Sequence, residues 1–265
     1  MNDACLVVLP GEGIGPEVTA EGLAVARLVA EVVGFQLAVE TYEVGEVALK
    51  VAGSVFPASV ESACNRAAAH PRGAILFGAV SDEPIGILRK KYDLFANLRP
   101  IRMWPVLLNS SPLKPSVSGA IDLVVVRELV SDVYYGEARA GVDARGAWAS
   151  QEMFYAEPEV RRITRVALAL AQERRGRLVL VHKGNVIKDV FAIWSRVLRE
   201  EQARHPAVAC SEALVDSMAM QMVLKPAAFD VVLCSNLFGD ILSDLGAGLL
   251  GSLGLLPSAS FNERG

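Results

Sequence analysis

Phe229-Asp230-Val231-Val232-Leu233-Cys234-Ser235-Asn236-Leu237-Phe238-Gly239-Asp240-Ile241-Leu242-Ser243-Asp244 holds a strand, a turn and the start of a helix. The apolar run ending at Leu233 has the length of a buried strand. Asn236 and Gly239 mark a turn, and a helix is expected to open at Asp240. On that helix Asp240 and Asp244 are four residues apart, so both carboxylates project from one face. Like charges side by side repel, and a hard divalent cation such as Mg2+ or Mn2+ would compensate them through carboxylate oxygens. A second reading stays open here, in which Asp240 caps the helix and Asp244 is a solvated surface charge.

The same unit repeats outward along the chain. Leu6 to Leu9 reads as a buried strand, followed by Pro10-Gly11-Glu12-Gly13-Ile14-Gly15-Pro16-Glu17 and a helical pattern from Val18 to Val33. Pro16 stands where a dinucleotide-binding glycine fingerprint needs its third glycine, so that fingerprint is not met. Phe35 to Tyr42 is a second strand, Pro57 opens a helix to about Ala69, and Gly73 to Gly78 is a third strand. Ile121 to Val126, Arg177 to Val181 and the run before Leu233 add further strands. Helices are expected from Pro158 to Glu173, from Lys188 to about Gln202 and from Leu214 onward. Strands alternating with helices mean an α/β fold with a largely parallel sheet. Gly246 to Pro257 reads as a packed helix and turn.

Composition narrows the classes. The 265 residues suit one large domain or two small ones, and 52% hydrophobic residues allow a sizeable core. A formal net charge of -4 without a basic run argues against nucleic acid and acidic membrane surfaces. The N-terminus lacks a signal peptide's positive region, and no apolar run of spanning length is free of charge. Cys5, Cys64, Cys210 and Cys234 are scattered without metal-ligand spacing, as in a reduced cytoplasmic protein.

Several side chains at strand ends carry chemistry. Arg89 and Arg99 flank an apolar helical stretch that Pro100 breaks, and Arg127 follows a β-branched strand. Three arginines so placed suit a carboxylate-bearing ligand, while three ordinary surface arginines is the alternative. Lys183 stands at a strand end where desolvation would make it a base. His182 beside it is open to a ligand, a base or a structural reading.

Leu9-Pro10-Gly11-Glu12-Gly13-Ile14-Gly15-Pro16-Glu17-Val18 is similar to the opening of the β-decarboxylating dehydrogenases, which act on isocitrate, homoisocitrate, tartrate and 3-isopropylmalate. Three stretches resemble the 3-isopropylmalate branch: Asp93 to Pro100, Tyr134-Tyr135-Gly136-Glu137 after Arg127-Glu128-Leu129, and Gly251 to Ser260. The resemblance runs along essentially the whole chain. It implies the isocitrate/isopropylmalate dehydrogenase-like fold, two α/β domains and not a Rossmann fold. It also implies a first, cofactor-side domain from residues 1–96 plus 250–265, and a central domain, 97–249, for substrate, metal and dimerisation. Arg89, Arg99 and Arg127 match substrate-binding arginines. Asp240, Asp244 and Asp216 match metal ligands, with Lys183 and Asp216 reaching the site from the second chain of a homodimer. Tyr134, Lys183 and Asp216 match catalytic residues. Gly78, Ala79, Val80 and Asn185 match contacts of NAD. The implied activity is NAD-dependent oxidative decarboxylation of 3-isopropylmalate in leucine biosynthesis, with Mg2+ or Mn2+, in the cytoplasm.

Three departures from the family pattern qualify that expectation. The link from Gly78 to Arg89 is short, and Pro84-Ile85-Gly86-Ile87 replaces the residues that line the isopropyl pocket. His182 stands where an aspartate is usual. The sequence stops at Asn262-Glu263-Arg264-Gly265, before the family's adenosine-binding loop. A related homoisocitrate, tartrate or malate dehydrogenase, and a non-catalytic remnant or partner subunit, are the competing expectations.

Overall fold

Parallel strands need a crossover to return the chain to the same edge, and helices supply it. The N-terminal third follows that rule. β1 (Asp3–Leu9) leads through α1 (Gly15–Val33) to β2 (Gln36–Thr41), then through α2 (Glu46–Ala52) and α3 (Ala58–Ala69) to β3 (Gly73–Phe77) and α4 (Asp82–Lys91). The structure, a computed structural model, describes residues 3–80 and 82–264, which divide into two compact units, Met1–Tyr92 and Asp93–Gly265.

The first unit is built on a parallel sheet of order β2-β1-β3. Val7 and Leu9 on β1 meet Val60, Ala63, Cys64 and Ala67 of α3 in a small core. α1 starts with Pro16 in its first turn, where its missing N–H costs nothing, and stops at Gly34, which takes a φ of 82°. Val25, Leu28, Val29, Val32 and Val33 of α1 stay exposed. The glycines after β1 and β3 have a packing reason. A Cβ on Gly11 would overlap the Ala79 carbonyl oxygen, and one on Gly15 or Gly78 would overlap that of Pro10. The two loops lie backbone against backbone, joined by the Glu12 N–H donating to the Ala79 carbonyl at 2.6 Å.

The second unit runs β4 (Ala96–Arg102), α5 (Pro115–Ser118), β5 (Asp122–Glu128), β6 (Ala138–Asp143), β7 (Gly146–Gln151), α6 (Glu157–Glu173), β8 (Arg177–His182), α7 (Lys188–Gln202), β9 (Ala209–Leu214), α8 (Val215–Leu224), β10 (Val231–Cys234), α9 (Asn236–Leu250) and β11 (Ala259–Phe261). Its main sheet has the order β11-β4-β5-β10-β8-β9. β5, β10, β8 and β9 are mutually parallel, whereas β4 is antiparallel to β5 and β11 to β4. Trp194, Phe191, Val197 and Leu198 of α7 and Val160, Ile163, Ala167 and Leu168 of α6 bury an apolar stripe on this sheet. Arg161 and Arg165 of α6 hold the buried Glu201 of α7, so the two helices are also joined by charge.

The structure revises several expectations. The helical stretch between Arg89 and Arg99 ends at Lys91, and residues 96–102 form β4. Pro100 is tolerated there because β11 pairs only with residues 96–98, leaving β4 an edge at the proline. α9 opens at Asn236, so Asp240 lies in its second turn and is not a cap. β9, which carries no apolar alternation in sequence, and the exposed β6–β7 hairpin were not expected. Residues 250–264, expected with the first domain, lie in the second unit, where β11 pairs with β4. The sheet is parallel in its interior and antiparallel at one edge.

Glu128 closes β5 and is wholly buried. Its carboxyl oxygens accept the Val130 and Ser131 N–H groups, each at 3.0 Å, which fixes the turn that follows. Burial pushes its pKa up to about 7, against the pull of those two hydrogen bonds. Its folded-state pKa thus lies above the unfolded value of 4.5, so the folded protein binds the proton more tightly and loses stability as pH rises between the two. Glu128→Gln, uncharged throughout, should flatten this fall. Between roughly pH 5 and 7 its unfolding free energy should gain on the parent by about 2 kcal/mol. Denaturant titrations at both pH values measure it, and parallel pH trends in the two proteins would contradict it.

Candidate active site at the strand ends

The parallel register brings the C-terminal ends of β5, β10, β8 and β9 to one edge, the place where open α/β sheets bind ligands. Arg127 of β5 sits level with Cys234 of β10, which sits level with Val181 of β8, and His182 with Leu214 of β9. Arg127 points across to the first turns of α9 and is only 2% exposed. Its Nε donates to Asn236 Oδ1 at 2.9 Å, and its Nη1 pairs with the Asp240 carboxylate. A Cβ on Gly239 would fall 2.6 Å from Arg127 Cγ, so glycine is what lets the arginine lie flat on the helix. Tyr134 completes the group. Its hydroxyl donates to Asp240 Oδ2 at 2.7 Å, and the Arg127 guanidinium stands 5.5 Å from its ring centre. Burial and the adjoining Asp240 carboxylate hold its phenol above the ordinary range.

Arg99 joins this group from β4. Its Nε donates to Asn97 Oδ1 at 3.2 Å, and Asn97 is fixed in turn by Ser258, Ser260 and the Ala259 carbonyl. Burial and the like charge of Arg127 draw the Arg99 pKa down, while Asp244 and Asp240 push it back up. Two arginines and two carboxylates therefore share one electrostatic neighbourhood. Asp244, one turn beyond Asp240, lines an open hollow of about 540 Å3 beside Ser110, Ser111 and Gly251.

Lys183 and Asp216 form a second pair on neighbouring strand ends. Lys183 Nζ donates to Asp216 Oδ1 at 2.7 Å, a bond that holds the aspartate's pKa below the usual carboxylate range. His182 beside them accepts the Gly184 N–H on Nδ1 at 3.0 Å and faces Glu212 with Nε2 at 3.5 Å. It shapes the turn after β8. Asn185, in that turn, is exposed. Among the described residues no three His, Cys, Asp or Glu side chains gather as a metal cluster, so Asp216 does not complete the Asp240–Asp244 pair within one chain.

The remaining candidates lie in the first unit. Arg89 is half-buried in the last turn of α4, with Ile85 half-buried and Ile87 exposed on the same helix. Gly78, Ala79 and Val80 follow β3 in the loop that packs against Gly11 and Gly15.

Sequence reasoning missed Asn97, Asp132, Tyr155 and Asn236 as parts of the site. All four are buried and polar, and each is satisfied by residues distant in sequence. Only the polar residue inside an apolar run, as with Asn97, gave a local signal.

The donor chemistry at Asp240 and Asp244 fits a hard divalent cation. Both are carboxylates on one helix face, Asp240 is 39% exposed at its side chain, and Asp244 is open to solvent. One or two carboxylates suffice for Mg2+, which keeps several waters of its own.

The model of the isocitrate/isopropylmalate dehydrogenase family matches residues 5–265 of this chain. The 3-isopropylmalate dehydrogenase of Symbiobacterium thermophilum is 42% identical over 96% of this chain and 72% of its own length. That of Aquifex aeolicus is 38% identical over 98% of this chain and 73% of its own length. The crystal structure of isocitrate dehydrogenase from Methylococcus capsulatus superposes with a TM-score of 0.82 at 29% identity, covering 98% of this chain and 75% of that one. A match that runs through both units, on a fold shared at that level, leaves one assignment: this chain belongs to the isocitrate/isopropylmalate dehydrogenase family.

Proposed function

We propose that this chain catalyses the NAD-dependent oxidative decarboxylation of 3-isopropylmalate to 4-methyl-2-oxopentanoate in leucine biosynthesis. A pyridine nucleotide and a divalent metal are general requirements of its family. The observation that carries the reading is the charge cluster at the strand ends, where Arg99 and Arg127 share a neighbourhood with Asp240, Asp244 and Tyr134. The relatives at 38% and 42% identity carry the 3-isopropylmalate name, which favours that substrate over isocitrate.

On this reading Arg99 and Arg127 hold the substrate's carboxylates through charge-assisted forks, with Arg89 as a third. Ile85 lies one turn before Arg89 and offers apolar surface for the isopropyl group. Lys183 takes the proton of the 2-hydroxyl, with Asp216 as its hydrogen-bonded partner. Tyr134 delivers a proton to carbon after CO2 has left, from a hydroxyl already held in place by Asp240. A divalent cation on Asp240 and Asp244 would supply charge stabilisation at the substrate oxygen, and the nicotinamide would supply the hydride acceptor. Gly78, Ala79, Val80 and Asn185 are the proposed NAD contacts, and the first unit is the proposed cofactor side. A homodimer is part of the proposal, since Asp216 does not reach the aspartate pair in one chain. A reduced cytoplasmic setting suits the four free cysteines.

Three outcomes test the proposal. Asp240→Asn should weaken Mn2+ binding by calorimetry and abolish CO2 release, and undiminished turnover would remove Asp240 from the metal site. Arg99→Ala should lose on the order of 1.5–3 kcal/mol of substrate interaction, roughly ten- to a hundredfold in kcat/KM. A kcat/KM equal to the parent's would show that Arg99 does not touch the carboxylates. Mixing Lys183→Ala chains with Asp240→Asn chains should restore activity from inactive parents, because one heterodimer site then has both groups intact. Heterodimers that form and stay inactive would refute the shared site.

A further inference from the structure

Asp132 is the least comfortable residue near the proposed site. It has a φ of 77°, in the left-handed region that glycine adopts freely and that is strained for a residue carrying a Cβ, aspartate included. Backbone in that region persists only where its surroundings over-determine it. They do so here. The side chain is wholly buried, and its oxygens accept three hydrogen bonds. Oδ1 takes the Val133 N–H at 2.7 Å, while Oδ2 takes the Leu237 N–H at 3.0 Å and the Tyr155 hydroxyl at 3.2 Å. The Tyr155 oxygen in turn accepts the Asn236 N–H at 2.8 Å.

These bonds link two elements with different tasks. Val133 belongs to the short 3-10 turn that carries Tyr134, and the Asp132 carbonyl accepts the Tyr135 and Gly136 N–H groups that close it. Asn236 and Leu237 are the first residues of α9, whose second turn carries Asp240. The helix N-cap, Ser235, makes no capping hydrogen bond, and its hydroxyl is buried without a partner among the described residues. Asp132 and Tyr155 therefore do the capping from outside the helix, and Asn236 Nδ2 returns a bond to the Ser131 carbonyl at 3.1 Å.

We infer that Asp132 is a positioning residue for the proton-delivering tyrosine: one carboxylate fixes the Tyr134 turn and the start of the Asp240 helix in the same frame. The inference rests on the reading of Tyr134 given above. It explains why an aspartate occupies a backbone conformation suited to glycine. Glycine would relieve the strain and lose the carboxylate's bonds to Val133, Leu237 and Tyr155.

That contrast supplies the test. Asp132→Gly, Asp132→Asn and Tyr134→Phe are compared in the whole chain with Asp230→Asn, a buried change at the opposite end of β10 that reports general destabilisation. Placement of Tyr134 is read by 19F NMR after 3-fluorotyrosine labelling, its resonance among the five tyrosines being assigned by its loss in Tyr134→Phe. Asp132→Gly should keep its helical circular dichroism, shift and broaden the Tyr134 resonance, and cut kcat about a hundredfold with little change in KM, the scale of a misplaced catalytic group. Asp132→Asn, which keeps one acceptor oxygen, should recover part of both signals, and Asp230→Asn should move neither. An unchanged Tyr134 resonance in folded Asp132→Gly overturns the inference. Full activity in Tyr134→Phe would instead sink the proton-delivery reading and leave the resonance to decide positioning alone. Should Asp132→Gly not fold, Tyr155→Phe removes one donor to the same carboxylate and must move the same resonance for the inference to stand.

Discussion

A guanidinium with 2% exposure is costly unless its donors are met, because moving a charge out of water carries a penalty of several kcal/mol. Arg127 meets that requirement with an unusual set of partners. Asn236 takes Nε, Asp240 takes Nη1, and the face of Tyr134 lies 5.5 Å away. Removing any one of them leaves part of a buried cation unanswered. α9 is consequently seated on β5 by charge as well as by Phe238, Leu242 and Ala247. The seating also dictates sequence, since Gly239 cannot carry a side chain without displacing Arg127.

Much of this is legible in the sequence itself. The alternation of apolar runs with helical spacing gave β1, β3, β5, β8, β10 and their crossover helices, because buried parallel strands read as continuous apolar runs. The Asp240–Asp244 spacing placed two carboxylates on one helix face, and the structure puts both in the field of Arg99. What was not legible has a common physical origin. β4 carries a proline and a buried asparagine, and its identity as a strand is set by pairing with β5 and β11 and not by its own pattern. The helix start at Asn236 was missed because its caps, Asp132 and Tyr155, are contributed from far away in sequence. The hairpin β6–β7 is exposed at every residue but Gly141, so it has no buried face to mark it in the sequence as part of a core.

The N-terminal glycines show how a motif can be read correctly in the negative. Their spacing departs from the dinucleotide fingerprint, and the structure supplies another reason for them. Gly11, Gly15 and Gly78 are places where two loops approach backbone to backbone, and a single methyl group would collide with a carbonyl oxygen. Close packing of that kind makes the strand-end loops of the first unit stiff. Stiffness is what a surface proposed to hold a cofactor needs, because less conformational entropy is then lost on binding.

Charge balance ties the second unit's site to its proposed chemistry. Arg99 and Arg127 contribute two positive charges and Asp240 and Asp244 two negative ones, so the cluster is neutral by itself. Burial and Arg127 lower the Arg99 pKa while Asp244 and Asp240 raise it, so charges of both signs act on that guanidinium. The two arginines are not equivalent. Arg127 gives Nε to Asn236 and Nη1 to Asp240, whereas Arg99 gives Nε to Asn97. A dicarboxylate arriving alone would add two negative charges to a neutral cluster, and a divalent cation arriving alone would add two positive ones. Arriving together they restore neutrality, and in a partly buried site each unpaired charge costs far more than in water. On the proposed reading, the arrangement of these four side chains favours substrate and metal as a pair over either one singly.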